Sequence, residues 1–151
     1  MQLRNILLAL ALGTTGALAD FWVFYEEMAE GAPGYRFMQK EEPSCHDVGV
    51  SYHWPYWSND LSKDTGIRIY GGFPEVPEAM EVNTGRAHFT IYQHRNWGLF
   101  NLEDERRGDC EPFHDIKNIE WNCPEHQRFL GNHGRLVIYC ETDDYDVTHF
   151  N

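Results

Sequence analysis

One stretch of the sequence, TIYQHRNWGLF at residues 90–100, carries three side chains that an active site could use: Tyr92, His94 and Arg95. Apolar and polar residues alternate up to Tyr92, which predicts a strand, and Asn96-Trp97-Gly98 predicts a break after it. The stretch is therefore a catalytic strand or the corner of a β-sandwich. The sequence contains no G-x-S-x-G, H-E-x-x-H or phosphate-loop motif.

The four cysteines predict two disulfides, because an even number of cysteines in a secreted chain is typical of paired thiols. They are Cys45, Cys110, Cys123 and Cys140, and no C-x-x-C pair that would favour a metal site occurs. Cys110 and Cys123 flank a short turn-rich segment, so we predict that they pair with each other. That pairing leaves Cys45 to bond with Cys140.

The aromatic segment YHWPYW at residues 52–57 is a candidate binding surface. Trp54, Tyr56 and Trp57 surround Pro55, and proline disfavours a central strand, so we expect a loop or a sheet edge. Aromatic side chains on a rigid loop suit sugar stacking or protein docking. Packing of these rings in the core is the alternative, because tryptophan is usually largely buried.

The elements that position these residues are strands. Period-two alternation dominates the chain, Gly, Pro, Asn and Asp separate the alternating segments, and no segment of helical length has a clean apolar stripe. The sequence therefore predicts an all-β chain of about eight strands that forms a sandwich or barrel. The predicted strands are DFWVFYEE, YRFMQK, VSYHW, IRIYGG, HFTIYQH, LFNLE, KNIEW and RLVIYCE.

Four residues recur in the same order along the chain and suggest two similar halves. Their offsets are 67, 65, 67 and 69 residues. Two similar four-stranded units would stack their apolar faces into one sandwich. The first set is Tyr25, Cys45, Trp54 and Tyr70, and the second is Tyr92, Cys110, Trp121 and Tyr139.

Residues 89–121 resemble a Greek-key motif of the βγ-crystallin family. Tyr92 takes the place of the aromatic residue at the strand end, and Trp97 that of the second aromatic five residues later. The family's glycine falls at Leu99, whereas this chain has Gly98. Residues 24–37 resemble the motif more loosely. The resemblance implies a double Greek-key sandwich in which Tyr92 is a corner aromatic and His94 lies in a hairpin.

Some βγ-crystallins bind Ca²⁺, and two segments of this chain are candidates for a similar site. SNDLSKD at residues 58–64 departs from the family spacing by one residue. The denser acidic cluster is Asp143, Asp144 and Asp146, and hard cations need several converging oxygen atoms. A solvated acidic tail is the alternative.

The first 19 residues have the basic start, the apolar run and the Ala17-Leu18-Ala19 end of a secretory signal peptide. The apolar run is shorter than a spanning helix needs, so no membrane anchor is expected. Residues 20–151 then form a single secreted β-sandwich domain. This domain has 11 basic and 24 acidic residues, so its surface repels nucleic acid and anionic lipid.

The predicted mature chain is similar to small secreted effector-like proteins of filamentous fungi. The shared features are an aromatic start, DFWVFY, a few spaced cysteines and an acidic balance. This resemblance implies a non-enzymatic protein, effector- or toxin-like, that acts outside the cell on a protein or glycan of a host or competitor. The dibasic pair Arg106-Arg107 could be a processing site.

GFPEVPEAMEVN and SYHWPYWSND, residues 72–83 and 51–60, resemble segments of small fungal ribonucleases. The order of the motifs differs from that of the family. The resemblance implies acid–base cleavage of phosphodiesters. It assigns the base to Glu75 or Glu78, the acid to His53 or His94, and the phosphate contact to Arg86 or Arg95.

Three functions follow, and each predicts a different structure. A binding protein without a cofactor is the first expectation, and it predicts an exposed aromatic patch. A ribonuclease-like hydrolase predicts His, Glu and Arg together in one cleft. A structural β-sandwich stabilised by Ca²⁺ predicts carboxylates that converge from a turn.

Overall fold

A computed structural model describes residues 20–26, 33–57, 65–71, 77–121, 123 and 133–142, with the backbone alone at 55–57, 114–117 and 133. The predicted signal peptide and the predicted Ca²⁺ ligands Asp143, Asp144 and Asp146 lie outside the described residues. The strands are β1 (Phe21–Glu26), β2 (Gly34–Met38), β3 (Trp54–Trp57), β4 (Gly66–Tyr70), β5 (Ala79–Asn83), β6 (His88–Tyr92), β7 (Gly98–Asn101), β8 (Arg106–Glu120) and β9 (His133–Thr142). A helix, α1, spans Cys45–Val50, and a 3₁₀ turn spans Gln93–Arg95.

The strands form one closed barrel in which each strand pairs with its neighbours in sequence and β9 returns to pair with β1. All pairs are antiparallel except β3 and β4, which are parallel. The predicted all-β, disulfide-bonded fold is confirmed. The strand order is not that of the Greek key implied by the βγ-crystallin resemblance, because the short connections between β4 and β8 make sequence neighbours pair directly.

The described residues do not form two similar halves. Cys45 begins α1, whereas Cys110, its proposed equivalent, lies inside β8. Trp54 begins β3, whereas Trp121 follows the end of β8. The recurring spacing therefore does not correspond to a repeated structural unit.

Alternation along the strands places one apolar row inside the barrel and leaves the opposite row on its outer face. On β4 to β7 the inward residues are at most 9% exposed and form one continuous core with β1, β2 and β9. The outward residues on the same strands are largely polar, so this face can contact a polar ligand. The inward residues are Ile67, Ile69, Met80, Val82, Phe89, Ile91 and Leu99.

A buried ion cluster joins β1, β2 and α1. The Nε atom of Arg36 donates to Oε2 of Glu26 at 2.6 Å, and Nδ1 of His53 lies 3.0 Å from the same oxygen. Nη1 of Arg36 also donates to the backbone carbonyls of Val48 and Ser51, at 3.3 and 2.6 Å. One guanidinium group therefore holds the C-terminal end of α1 against the first hairpin.

Helix α1 begins with a capping box. The Ser44 hydroxyl accepts from the Asp47 backbone, and the Asp47 carboxylate accepts from the Ser44 backbone and hydroxyl at 2.8 and 2.7 Å. Val48 is fully buried and packs in a second apolar cluster with Phe24 and Trp121. In the part of the chain that the structure describes, no helix is long and apolar enough to cross a membrane.

The two disulfides join Cys45 to Cys123 and Cys110 to Cys140. The number of disulfides predicted from the sequence is confirmed, but the predicted pairing, Cys110–Cys123 and Cys45–Cys140, was wrong. The segment after Cys110 is not a turn-rich loop but part of the 15-residue strand β8, which runs along β9 from Cys140 to His133, a distance of about 23 Å. Cys110 instead lies directly opposite Cys140 on the paired strand β9.

The dibasic pair Arg106-Arg107 begins β8 and is held in the sheet. Arg106 pairs with Phe100 of β7, and the hydroxyl of Thr142 on β9 donates to the carbonyl of Arg107 at 2.9 Å. A processing protease would therefore have to open the sheet before it could bind this segment.

The two disulfides should contribute unequally to stability. We expect the double substitution Cys45→Ala, Cys123→Ala to lower the free energy of unfolding by about 4–5 kcal/mol, because this bond closes the longer loop. The double substitution Cys110→Ala, Cys140→Ala should cost about 3–4 kcal/mol, because a shorter loop is released and backbone hydrogen bonds still join β8 to β9. Urea unfolding would measure both values, and a larger loss for the second variant would contradict the expectation.

Glu26 should make stability depend on acid pH. Burial favours the protonated form, but hydrogen bonding to His53 and the charge of Arg36 outweigh burial and hold the pKa of Glu26 below its ordinary value of 4.5. A carboxyl group with a lowered folded-state pKa stabilises the fold above its unfolded-state pKa, and this contribution is lost as the pH falls through the folded-state pKa.

We therefore expect Glu26→Gln to unfold more easily than the wild type at pH 7 and to lose less stability between pH 5 and pH 3. Urea unfolding across this pH range would measure the difference. Glu111→Gln, at an exposed position of β8, is the matched control and should keep the wild-type dependence. A Glu26→Gln variant with the wild-type dependence on pH would contradict the role of the cluster.

Candidate active site

The outer face of β4, β5 and β6 carries a row of polar residues at one level of the sheet. In the strand register, Arg68 lies opposite Glu81, and Glu81 lies opposite Thr90. These residues alternate with the buried core positions, so their side chains point away from the core. Antiparallel pairing across three strands therefore places them side by side on a rigid surface.

Glu81 is the centre of this row. Its Oε1 atom lies 2.9 Å from Nε2 of His88, and its Oε2 atom lies 3.9 Å from Nη1 of Arg68. The hydroxyl of Tyr70 donates to the same Oε2 atom at 3.4 Å. The side chain of Glu81 is 13% exposed, that of His88 is 15% exposed and that of Arg68 is 26% exposed, so solvent or a ligand can reach all three.

Tyr70 is held between Arg68 and Glu81. The guanidinium carbon of Arg68 lies 4.3 Å from the centre of the Tyr70 ring, which is within the range of a cation–π contact. Burial and the negative charge of Glu81 raise the pKa of Tyr70. The hydroxyl group therefore remains protonated and able to donate at neutral pH.

These side chains line a cleft of about 560 Å³. The cleft has a charged part around Glu81 and an aromatic part at Tyr70 and Tyr92. Its lining residues are Arg68, Tyr70, Glu78, Ala79, Glu81, His88, Thr90, Tyr92, His94, Asn101, Leu102 and Asp104.

The structure brings together two of the residues assigned by the ribonuclease resemblance and separates the others. Glu78 and His94 both line the cleft. His53 instead contacts the buried Glu26, and Arg86 lies in the turn between β5 and β6. Glu75 lies outside the described residues.

Arg95 has a structural role beside the cleft. Its guanidinium carbon lies 3.4 Å from the centre of the Phe100 ring, and the same group forms an ion pair with Asp104. Tyr92 packs near the same ring, with a centroid separation of 6.0 Å. Arg95 therefore supports one wall of the cleft from the hairpin between β6 and β7.

The predicted aromatic binding surface divides into two parts. Trp54 is 6% exposed and belongs to the main core, so its side chain does not form the surface patch that the sequence predicted. Tyr56 and Trp57 lie on β3, and their side chains are outside the described residues, so their binding role stays a prediction.

The described residues contain no group of three or more His, Cys, Asp and Glu side chains arranged to hold a metal ion. The chemistry that the cleft can perform with its own side chains is proton transfer and the binding of an anion. Glu81 and His94 can exchange protons, and Arg68 carries a permanent positive charge.

Sequence reasoning did not group Glu81, His88 and Arg68, although alternation already placed Arg68 and His88 on the polar side of predicted strands. The missing information was the register of three strands. The segment that contains Glu81, residues 72–83, resembles a ribonuclease segment, but it is not among the predicted strands.

Comparisons of this chain with protein-family models, curated sequences and solved structures found no match. The resemblances to fungal effectors and small fungal ribonucleases therefore stay predictions from sequence motifs, whereas the Greek-key order implied by the βγ-crystallin resemblance is not the order observed.

Proposed function

We propose that this protein is a secreted ribonuclease-like hydrolase. The observation that carries the proposal is the contact of His88 and Arg68 with the carboxylate of Glu81 in one open cleft. Glu81 can serve as the proton acceptor and Arg68 as the positive charge for the phosphate oxygens, and His94, which lines the same cleft, can serve as the proton donor. A cleft with these side chains favours an enzyme over the non-enzymatic binding protein that the effector resemblance implies.

In the proposed reaction, Glu81 removes the proton from the 2′-hydroxyl of RNA, and the 2′-oxygen forms a bond to phosphorus. The bond between phosphorus and the 5′-oxygen breaks, and His94 donates a proton to that leaving oxygen. Arg68 binds the phosphate oxygens while their negative charge increases. Oε2 of Glu81 suits the role of proton acceptor. Its contacts with the Tyr70 hydroxyl and the Arg68 guanidinium, at 3.4 and 3.9 Å, are longer than the 2.9 Å contact between Oε1 and His88.

His88 has a positioning role in this mechanism. It lies 2.9 Å from Oε1 of Glu81 and fixes the orientation of the carboxylate from the neighbouring strand. Because both residues lie on paired strands, the carboxylate is held before substrate binds, which lowers the entropy cost of reaching the reactive geometry.

The excess of 24 acidic over 11 basic residues in the predicted mature chain acts against an RNA substrate at long range. Inside the cleft, Arg68 and, when protonated, His88 and His94 face the carboxylates of Glu78, Glu81 and Asp104, so binding of the reacting phosphate depends on its direct contact with Arg68. At about 0.15 M salt the Debye length is about 8 Å, so the more distant acidic residues are largely screened. Assays should therefore be performed at physiological ionic strength.

An extracellular site of action is part of the proposal. The signal-peptide pattern of residues 1–19 predicts export, and the two disulfides are compatible with an oxidising compartment. Recovery of the protein from the culture medium of the cells that express it would test export directly.

Substitutions in the cleft should lower RNA cleavage without loss of folding. We expect Glu81→Gln and His94→Ala each to slow cleavage of a labelled RNA by about 10²- to 10⁴-fold, the usual contribution of a general base or acid. Glu81→Gln retains the side-chain volume, and His94 is exposed, so both variants should keep the wild-type circular dichroism spectrum.

Glu111→Gln and His46→Gln are matched controls at exposed positions outside the cleft and should cleave RNA at the wild-type rate. DNA of the same sequence should remain intact because it has no 2′-hydroxyl. A wild-type protein that leaves RNA uncut, or a Glu81→Gln variant with full activity, would refute the proposed reaction.

A second candidate function is binding of an extracellular protein or glycan, and an exposed apolar pair supports it. Val50 at the end of α1 is 57% exposed, and Tyr52 is 54% exposed. The Tyr52 ring lies 4.5 Å from that of the buried Trp54, which gives the exposed ring a rigid support. Such a supported aromatic side chain is typical of an energetically important binding residue.

If this pair binds a partner, the mature protein should capture it from extracellular fluid in a pull-down, and Tyr52→Ala should lose most of the captured material. Glu81→Gln should capture it as the wild type does, because the cleft is on other strands. Equal capture by Tyr52→Ala would exclude this surface as the binding site.

A further inference from the structure

An aromatic pair lies on the outer face of β1 and β9. In the strand register, Trp22 of β1 lies opposite Tyr139 of β9, next to the buried pair Phe21 and Cys140. Alternation therefore turns both rings outward, where each is partly exposed. Their centroids are 4.6 Å apart. Trp22 also packs against the second apolar cluster, which includes Val48 of α1, so the pair has a rigid support.

Carboxylates flank this pair. Glu111 of β8 lies opposite Tyr139, and Glu141 follows Tyr139 on the same face of β9. Both glutamates are exposed, and the Tyr139 hydroxyl donates to Oε1 of Glu141 at 3.2 Å. Burial and the negative charges of Asp20 and Glu141 raise the pKa of Tyr139. The hydroxyl group therefore lies in a negative potential.

The two glutamates have no cation beside them. Within the part of the chain that the structure describes, no lysine, arginine or histidine side chain forms an ion pair with Glu111 or Glu141. Asp109, which lies opposite Glu141, is by contrast paired with Arg106. The ammonium group that signal-peptide cleavage would create at Asp20 balances the carboxylate of that residue. Negative charge therefore remains in excess at the two glutamates.

We call Trp22, Tyr139, Glu111 and Glu141 the acidic aromatic face. It lies on the opposite side of the barrel from the cleft, because β9 is four strands from β5 in one direction around the closed sheet and five in the other. A partner bound to this face would leave the cleft open. A binding role here is therefore independent of the proposed hydrolase.

We propose that the acidic aromatic face docks an arginine-bearing basic segment of a partner protein. A guanidinium group can stack on an aromatic ring while its N–H groups donate to a carboxylate. Arginine suits this face better than lysine because its charge is planar and more weakly hydrated. A second copy of this chain does not fit, because 24 acidic residues against 12 basic residues make the two copies repel each other.

Fluorescence anisotropy with a labelled peptide of alternating arginine and glycine tests this docking face. The matched probe is the same peptide with citrulline in place of arginine, which retains the shape of the side chain and removes its charge. At about 0.15 M salt, we expect the mature protein to bind the arginine peptide at least about tenfold more tightly. Tyr139→Leu removes one ring and should weaken this binding about two- to fivefold, whereas Tyr139→Phe retains the ring and should not.

A pair of charge reversals separates this face from the general acidity of the protein. Glu141→Lys should weaken binding of the arginine peptide about tenfold, because an attraction at the face becomes a repulsion. Glu103→Lys changes the net charge by the same amount at an exposed position between β7 and β8, and it should weaken binding less than about twofold.

Equal losses in the two lysine variants would overturn the proposal, because the total charge and not this face would then bind the peptide. Equal affinities for the arginine and citrulline peptides would overturn it as well. Circular dichroism spectra would identify any variant that fails to fold. Glu141 is exposed, so its substitution decides the question even if Tyr139→Leu does not fold.

Discussion

The buried contact between Arg36 and Glu26 is the constraint on which the rest of the architecture depends. Arg36 is 2% exposed and Glu26 is fully buried, and the removal of two charges from water is costly unless each is paired and hydrogen-bonded. Arg36 meets this requirement by also binding the carbonyls of Val48 and Ser51, and His53 contacts the same carboxylate. The cluster thereby positions α1 and the start of β3. Strand β4 pairs with β3 and is the first of the strands that carry the cleft.

Among the described residues a glutamate contacts both an arginine and a histidine in two places, and the two clusters differ in burial and in role. Around Glu26 the donors and acceptors satisfy one another within the fold, so that cluster stabilises the structure. Around Glu81 the same residue types lie in an open cleft, with longer contacts to one carboxylate oxygen. That second carboxylate can therefore exchange its contacts for those of a ligand, whereas the first cannot do so without unfolding part of the barrel.

Strand alternation explains why a polar site can lie beside the core without destabilising it. On β4, β5 and β6 the inward residues pack in the apolar interior, and most of the alternating outward residues line the cleft. The side chains in the charged part of the site come from regular strands and not from loops, so their separation follows from the sheet spacing. Rigid strands hold such groups more precisely than loops do.

The amino-acid sequence by itself determined that this is an all-β chain with two disulfides, because alternation and cysteine number are local or compositional properties. It also contained the capping signal of α1 at Ser44 and Asp47, which a search for long apolar stripes did not detect. Only the tertiary structure decided which cysteines pair and which glutamate lies at the centre of the polar row in the cleft. Cys110 meets Cys140, and Glu81 meets His88 and Arg68, through strand register. Alternation predicts which face a residue occupies, but register depends on packing across the whole barrel, and no short segment specifies it.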